Sequence, residues 1–331
     1  MSDAREGGAP SSSRPAGRRR RRLLTPLVSA LGFLLFTSSA DAFCRLRTCR
    51  PLKDKCEMDV HCAVSGKLLF RSSSCVSYSV QEDGSAKHGI TSDALEQVVA
   101  AAFDRWLSVD CGGGAHPSIE VQNVGRVSCD TTQYNCDGHG NANVILFSDD
   151  TWPHTDAEST FALTTVYFAT GSGQIHDVDV EINGTNDRIV NGEPLAGVDL
   201  ASILTHELGH FLGLGHTADQ TAVMRLRYEP GKDNLRALRA DDIAGICDMY
   251  PPGRATKTDS CTPRYGFATD CGTDDHDLCP IEQSEEEGSG CCSTAPGRPD
   301  SRGALALAAL FVGFAAARLR RVRKRSRAPE L

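Results

Sequence analysis

The spacing of apolar residues predicts three helices and five strands in the central part of the chain. Between residues 92 and 109, apolar side chains recur every three or four positions, as on one face of an amphipathic helix with Ser92 as N-cap. Similar spacing predicts helices over residues 199–212, with Asp199 as N-cap, and 238–250. Short apolar or alternating runs between Gly-, Asn- and Asp-rich loops predict strands over residues 75–80, 118–124, 143–147, 161–168 and 175–182. We expect these elements to form an α+β domain.

Changes in composition divide the chain into five segments. Pro251, Pro252 and Gly253 end the last predicted helix and mark the end of the main domain. The predicted segments are a signal peptide (1–42), a Cys-rich N-terminal segment (43–75), the main domain (76–252), an acidic Cys-containing linker (253–290) and a C-terminal sorting or transmembrane segment with a basic tail (291–331).

The N-terminus has the three parts of an export signal in their usual order. Arg18 to Arg22 is an unbroken basic run, residues 23–36 are largely apolar, and Ala40-Asp41-Ala42 supplies small residues at the end. This order predicts a secretory signal peptide that is cleaved after Ala42, and therefore a protein of the cell surface or the extracellular space. The alternative interpretation of the apolar run is a buried or amphipathic helix.

All 14 cysteines follow the predicted cleavage point. Because an exported chain enters an oxidising compartment, we expect most of them to pair. Twelve of them precede Cys291 and Cys292, an even number that is compatible with six disulfides. The sequence leaves their connectivity open.

The C-terminal segment combines two neighbouring cysteines, an apolar run and a basic cluster. Cys291 and Cys292 precede the Ala-rich run 304–317, and Arg318 begins the basic cluster. The run of 14 residues is shorter than the ~20 that usually span a membrane, and the basic cluster predicts a cytoplasmic tail. This order resembles the C-terminal sorting signal of exported myxobacterial proteins, which implies transient retention and processing or attachment at Cys291 or Cys292. A permanent membrane anchor through residues 304–317 is the alternative.

Charge is distributed unevenly along the chain. Both ends are basic, whereas residues 43–290 carry 19 basic and 38 acidic residues, a net charge of −19. A domain of this charge is a poor nucleic-acid binder, because Lys and Arg supply the affinity for phosphates. The composition also excludes a collagen, a coiled coil and a polytopic membrane protein. It fits an exported protein that binds cations.

Residues 206–216 read HELGHFLGLGH and predict a catalytic metal site. A helix places His206 and His210 on one face, with Glu207 beside them. Gly213 allows the helix to end and the chain to turn, so that His216 returns as a third ligand. Three imidazoles and a water form the open arrangement of catalytic Zn²⁺, with Glu207 placed as a general base. The alternative is a helix that carries unrelated surface histidines.

This motif is the signature of the metzincin metallopeptidases, and the chain resembles their matrixin branch. Met224 matches the Met-turn beneath the three imidazoles, and Tyr228 matches the tyrosine of the S1′ pocket wall, although Leu226 replaces the usual proline. Residues 102–106 and 241–246 resemble the first and last matrixin helices. The resemblance implies a twisted, mostly parallel sheet with three main helices and a zinc cleft at the sheet edge.

The sequence gives weaker signals for further metal sites and for a cysteine that blocks the zinc in an inactive form. Cys44 and Cys49 are candidates for capping the zinc, but disulfide pairing is the favoured interpretation. Candidates for a second, structural zinc are His139, His154 and His176, with solvated histidines as the alternative. Three acidic residues alternate along the last predicted strand. This alternation is consistent with Ca²⁺ binding, and the alternative is a polar face of the strand that points to solvent. These residues are Asp177, Asp179 and Glu181.

The resemblance implies a zinc endopeptidase that acts on extracellular proteins or peptides. Residues 161–166 are the candidate edge along which an extended substrate would lie by strand addition. Neither nucleic acid nor a cofactor other than the metal ions is expected as a partner. The alternative function is a surface-anchored binding module with a vestigial zinc site.

Overall fold

The computed structural model describes residues 43–270, apart from 52–53, 60–61, 137, 186–188, 194–196 and 232–233, together with the backbone of residues 282–286. In this part of the chain the helices are α1 (Ser92–Leu107), α2 (Leu200–Leu212) and α3 (Ala240–Met249). The strands are β1 (Cys44–Arg45), β2 (Met58–Asp59), β3 (Cys62–Ala63), β4 (Cys75–Gln81), β5 (Glu120–Val127), β6 (Val144–Phe147), β7 (Ala162–Phe168), β8 (Ile175–Ile182), β9 (Ile189–Val190), β10 (Val198–Asp199), β11 (Leu214–Gly215) and β12 (Glu282–Glu286).

Three parts of the sequence-based prediction fall outside these residues. They are the signal peptide (1–42), the pair Cys291 and Cys292, and the apolar run 304–317. Among the helices that the structure does describe, none has both the length and the apolar character needed to span a bilayer.

One six-stranded sheet organises the domain, in the order β12-β7-β8-β6-β4-β5. Strands β5, β4, β6 and β8 run parallel to one another, whereas β7 is antiparallel to β8, and β12 is antiparallel to β7. The mostly parallel sheet, the three helices and the α+β class are therefore as predicted. The antiparallel strand β7 lies beside the helix that carries the HELGH motif, since Thr164 of β7 contacts Glu207 of α2.

Helices α1 and α2 pack together over the sheet through large aromatic side chains. The ring of Phe103 on α1 meets the ring of Phe211 on α2 edge to face, with centroids 5.2 Å apart. Trp106 is fully buried, and its indole N–H donates to the carbonyl oxygen of Thr205 at 2.7 Å. This hydrogen bond satisfies the one polar atom of the buried indole, and it links α1 to α2 at Thr205.

The helix ends agree with the predicted ones within a few residues. Asp199 caps α2 as predicted, because its carboxylate accepts the backbone N–H of Ser202 at 3.0 Å. The cap of α1 is Thr91, whose hydroxyl accepts from Ala94, rather than the predicted Ser92, which is the first residue of the helix. Both residues are good N-caps, so the sequence alone did not separate them.

The acidic residues of β8 correct one prediction. Their alternation suggested a solvent-facing surface, yet Asp177, Asp179 and Glu181 are at most 2% exposed. Strand β8 is an inner strand, covered on both faces. The carboxylate of Asp179 accepts from the backbone of Val144 at 2.8 Å, and burial raises the pKa of Asp177 well above its ordinary value. Asp179 and Glu181 are hydrogen-bonded inside the domain, whereas both carboxylate oxygens of the buried Asp177 have no hydrogen-bond partner among the described residues.

Disulfides tie both ends of the described chain to the domain. The ten described cysteines are all disulfide-bonded, as expected for an exported protein. Four of the pairs are Cys44–Cys62, Cys49–Cys56, Cys75–Cys261 and Cys111–Cys247. Because Cys44 and Cys49 are paired, neither offers a free thiol to a zinc ion. The Cys75–Cys261 bridge holds residues beyond Gly253 against the start of β4.

Candidate active site

Helix α2 carries the first two histidines into the interior. Both His206 and His210 are at most 1% exposed, and they lie one helical turn apart on the same face. The helix ends at Gly213, which has the left-handed conformation with φ 107°. A Cβ at that position would lie 2.6 Å from Cε of Met249, so both the turn and the packing require glycine. The turn leads through β11 to His216, as predicted.

The three imidazoles converge through their Nε2 atoms. Nε2 of His210 lies 3.0 Å from Nε2 of His206 and 3.2 Å from that of His216. The Nδ1 atoms of His206 and His210 lie 2.6 and 2.8 Å from the carbonyl oxygens of Val223 and Leu214. A carbonyl oxygen only accepts, so each Nδ1 carries the proton. The Nε2 atoms of these two neutral rings therefore present lone pairs to a common point.

Burial keeps these rings neutral. It lowers the pKa of His206 well below its ordinary value and that of His210 to about 4. Lone pairs that face each other without a cation would repel, whereas neutral imidazoles fixed by carbonyl acceptors are the usual zinc ligands. The three ligand atoms lie within 4.8 Å of one another. The donor set therefore fits a Zn²⁺ ion with three protein ligands.

Glu207 follows His206 in α2 and is 1% exposed. Its Oε2 atom accepts a hydrogen bond from the hydroxyl of Thr164 at 2.6 Å. Thr164 belongs to β7, so the sheet orients the carboxylate from a point 43 residues away in sequence. Sequence reasoning missed Thr164, because one threonine in a strand of alternating side chains carries no local signal.

Met224, the residue that matches the Met-turn, packs against α2 at Gly209. It is 2% exposed, and a Cβ on Gly209 would overlap its Sδ atom and approach Cζ2 of Trp106 to 2.9 Å. The carboxylate of Asp242 accepts the backbone N–H groups of Val223 and Met224 at 2.8 and 3.0 Å. Asp242 on α3 thus fixes the turn. This role was not identified from the sequence.

We expect Gly209→Ala to destabilise the protein, although alanine is the better helix former. Helix propensity favours Ala by ~1 kcal/mol, but overpacking a filled core costs typically ~1–3 kcal/mol. Here the turn that carries Met224 is held by two backbone hydrogen bonds to the carboxylate of Asp242. A lower midpoint of urea unfolding for Gly209→Ala would confirm this. The matched control is Gly171→Ala, because no atom lies within 4 Å of that Cβ; equal midpoints for the two variants would contradict the packing argument.

The side chain of Tyr228 contacts the N-terminal end of α2. Its hydroxyl accepts the backbone N–H of Asp199 at 3.0 Å, and its ring meets that of Phe161 edge to face. Asp199 also forms an ion pair with Arg236, whose Nε donates at 2.8 Å. The segment after the Met-turn is therefore attached to the N-terminus of α2.

The candidates for a second zinc site do not come together. Nε2 of His154 pairs with the carboxylate of Glu181 at 2.6 Å, and His139 is exposed. Burial and the guanidinium of Arg264 lower the pKa of His176 to about 4. Among the described residues, the metal-ligating groups that do cluster are the three-histidine site and a set with Cys49, Asp54 and Cys56. The two cysteines of the latter are already bonded to each other.

The chain is similar in sequence to known metalloendoproteinases. Metalloendoproteinase 1-MMP of Arabidopsis thaliana is 37% identical over 95 residues, which are 29% of this chain and 26% of the relative. Matrilysin of Homo sapiens is 36% identical over 101 residues (30% and 35%), and metalloendoproteinase 1 of Glycine max is 27% identical over 159 residues (48% and 46%). The chain thus spans about a quarter to a half of the length of these curated relatives.

The matrixin family model, Peptidase_M10, matches residues 70–251, which is more than half of the chain. The matched range contains the sheet strands β4 to β8, all three helices and every residue of the three-histidine site. The chain therefore belongs to the matrixin family.

Proposed function

We propose that the protein is a zinc-dependent endopeptidase. The observation that carries this proposal is the convergence of the Nε2 atoms of three histidines, with the buried Glu207 next to His206 on the same helix. His206, His210 and His216 would hold the ion. Bound zinc supplies Lewis-acid chemistry and lowers the pKa of a coordinated water.

In this proposal Glu207 handles the proton. Its carboxylate accepts a proton from the attacking water and passes it to the leaving amine of the scissile peptide bond. The Thr164 hydroxyl restricts the carboxylate to one orientation, so the base is aligned before substrate arrives. Burial near the imidazoles strengthens each of these electrostatic contacts.

The proposed substrates are proteins or peptides outside the cell, bound in extended form along the edge of β7. Strand β8 pairs with one side of β7, and an extended polypeptide would pair with the other side, which β12 occupies in this structure. The completely paired set of described cysteines supports an oxidising compartment.

The test is hydrolysis of casein or a peptide library by the purified, disulfide-intact protein. We expect cleavage that a chelator abolishes and added Zn²⁺ restores, and we expect His216→Ala to lose bound zinc together with activity. Chelator-sensitive activity should appear in the medium or at the cell surface and not in the cytosol. A zinc-loaded protein that cleaves nothing would instead indicate a binding module.

A further inference from the structure

Strand β12 lies on the edge where we place the substrate. Its five residues pair antiparallel with β7, from Glu282 opposite Phe168 to Glu286 opposite Thr164. The pair of Glu286 and Thr164 connects β12 to the candidate active site, because the hydroxyl of Thr164 donates to the carboxylate of Glu207. A segment of the chain therefore runs along the edge of the sheet and ends beside the candidate active site.

A sheet edge accepts one strand at a time. The backbone N–H and C=O groups on the outer side of β7 that pair with β12 are the groups a substrate strand would need. Occupation by β12 and occupation by an extended substrate are therefore mutually exclusive.

We propose that residues 282–286 form an intramolecular competitor that reversibly closes the substrate edge. This inference rests on the proposed function, because it assumes that substrates bind along β7. It adds a regulatory partner for that edge, namely the chain's own segment. We call this segment the edge strand.

The attachment of the edge strand makes this competition effective. Residues before it are tied to the domain by the Cys75–Cys261 disulfide, and eleven residues separate the last described position, Asp270, from Glu282. A tether of that length holds a segment at an effective concentration in the millimolar range. Its sequence, EQSEE, contains no apolar residue, so backbone pairing supplies most of the affinity and release remains easy.

An intramolecular competitor has a specific kinetic signature. It multiplies the KM for every substrate by the same factor and leaves kcat unchanged, since saturating substrate displaces it. We expect Ser284→Pro/Glu285→Pro to lower KM several-fold at constant kcat. Proline has no N–H to donate, and adjacent residues of an antiparallel strand point their N–H groups to opposite sides, so one of the two substitutions removes a bond to β7.

The matched control is Ser284→Ala/Glu285→Gln. It removes the same hydroxyl and the same charge but keeps both backbone N–H groups, so its KM should equal that of the parent. The measurement is steady-state hydrolysis of a fluorogenic peptide by the full-length chain and the two variants. A proline variant whose KM equals that of the parent would overturn the proposal.

The hydrogen-exchange rates of the β7 amides report whether the edge strand docks, and they do so independently of whether the protein hydrolyses peptides. Amides between Leu163 and Phe168 that face the edge strand should exchange faster in the proline variant than in the parent and the control. Equal exchange in all three proteins would show that the edge strand does not dock. Absence of hydrolysis in all three, with faster exchange in the proline variant, would contradict the endopeptidase function and leave the docking of the edge strand established.

Discussion

Replacing Glu207 with glutamine is expected to lower kcat/KM by roughly 10²–10⁴-fold while leaving bound zinc at the parent level. General acid–base catalysis contributes a factor of this size, and glutamine cannot accept the proton of the attacking water. The substitution preserves size and still offers an oxygen to the hydroxyl of Thr164, which donates to Oε2 at 2.6 Å in the parent. The three histidine ligands remain unchanged.

Two measurements on the same sample check this result. Peptide hydrolysis gives the loss of kcat/KM, and metal analysis of the purified variant gives the zinc content. His216→Ala is the contrasting variant, because it should lose zinc as well as activity. If Glu207→Gln cleaves at close to the parent rate with zinc bound, Glu207 is not the base and the proposed mechanism is wrong.

We expect Thr164 to contribute less to hydrolysis than Glu207, because its hydroxyl contacts the carboxylate and not the reacting atoms. It contacts Glu207 and none of the three histidines in the hydrogen-bonding network described. Its influence on hydrolysis would therefore act through the orientation of the carboxylate.

The local part of the site was predictable from the sequence. His206, Glu207, His210, Gly213 and His216 lie within eleven residues, and helical periodicity with one glycine turn fixes their relative placement. The three helices and the strands that became β4 to β8 were also predicted, because their apolar spacing is regular.

The non-local part was not predictable. Thr164 and Asp242 act on the site from another strand and another helix, and only the folded chain brings them there. The alternating acids of β8 were interpreted as a surface, because an exposed strand and a buried strand with acidic side chains have the same period-two polarity. Strand β12 has a polar, charged sequence that gives no strand signal.

Removing the Cys111–Cys247 disulfide is the second change with a large expected effect. This bridge joins the loop after α1 to α3 and closes a loop with a sequence separation of 136. In the chain-entropy account, closing a loop of this length stabilises the folded state by roughly 4–5 kcal/mol, because it restricts the unfolded chain. This is a large fraction of the roughly 5–15 kcal/mol by which an ordinary folded protein is stable.

The Cys49–Cys56 bridge is the matched control, with a sequence separation of only 7. The same account gives it roughly 2–3 kcal/mol. We expect urea unfolding of the Cys111→Ala/Cys247→Ala protein to show the larger loss of unfolding free energy. Because α3 also carries Asp242, which fixes the turn of Met224, this variant should in addition bind zinc more weakly than the control variant. Equal losses for the two pairs would show that loop length does not set the stabilisation here, and unchanged zinc affinity would show that α3 holds the Met-turn without the bridge.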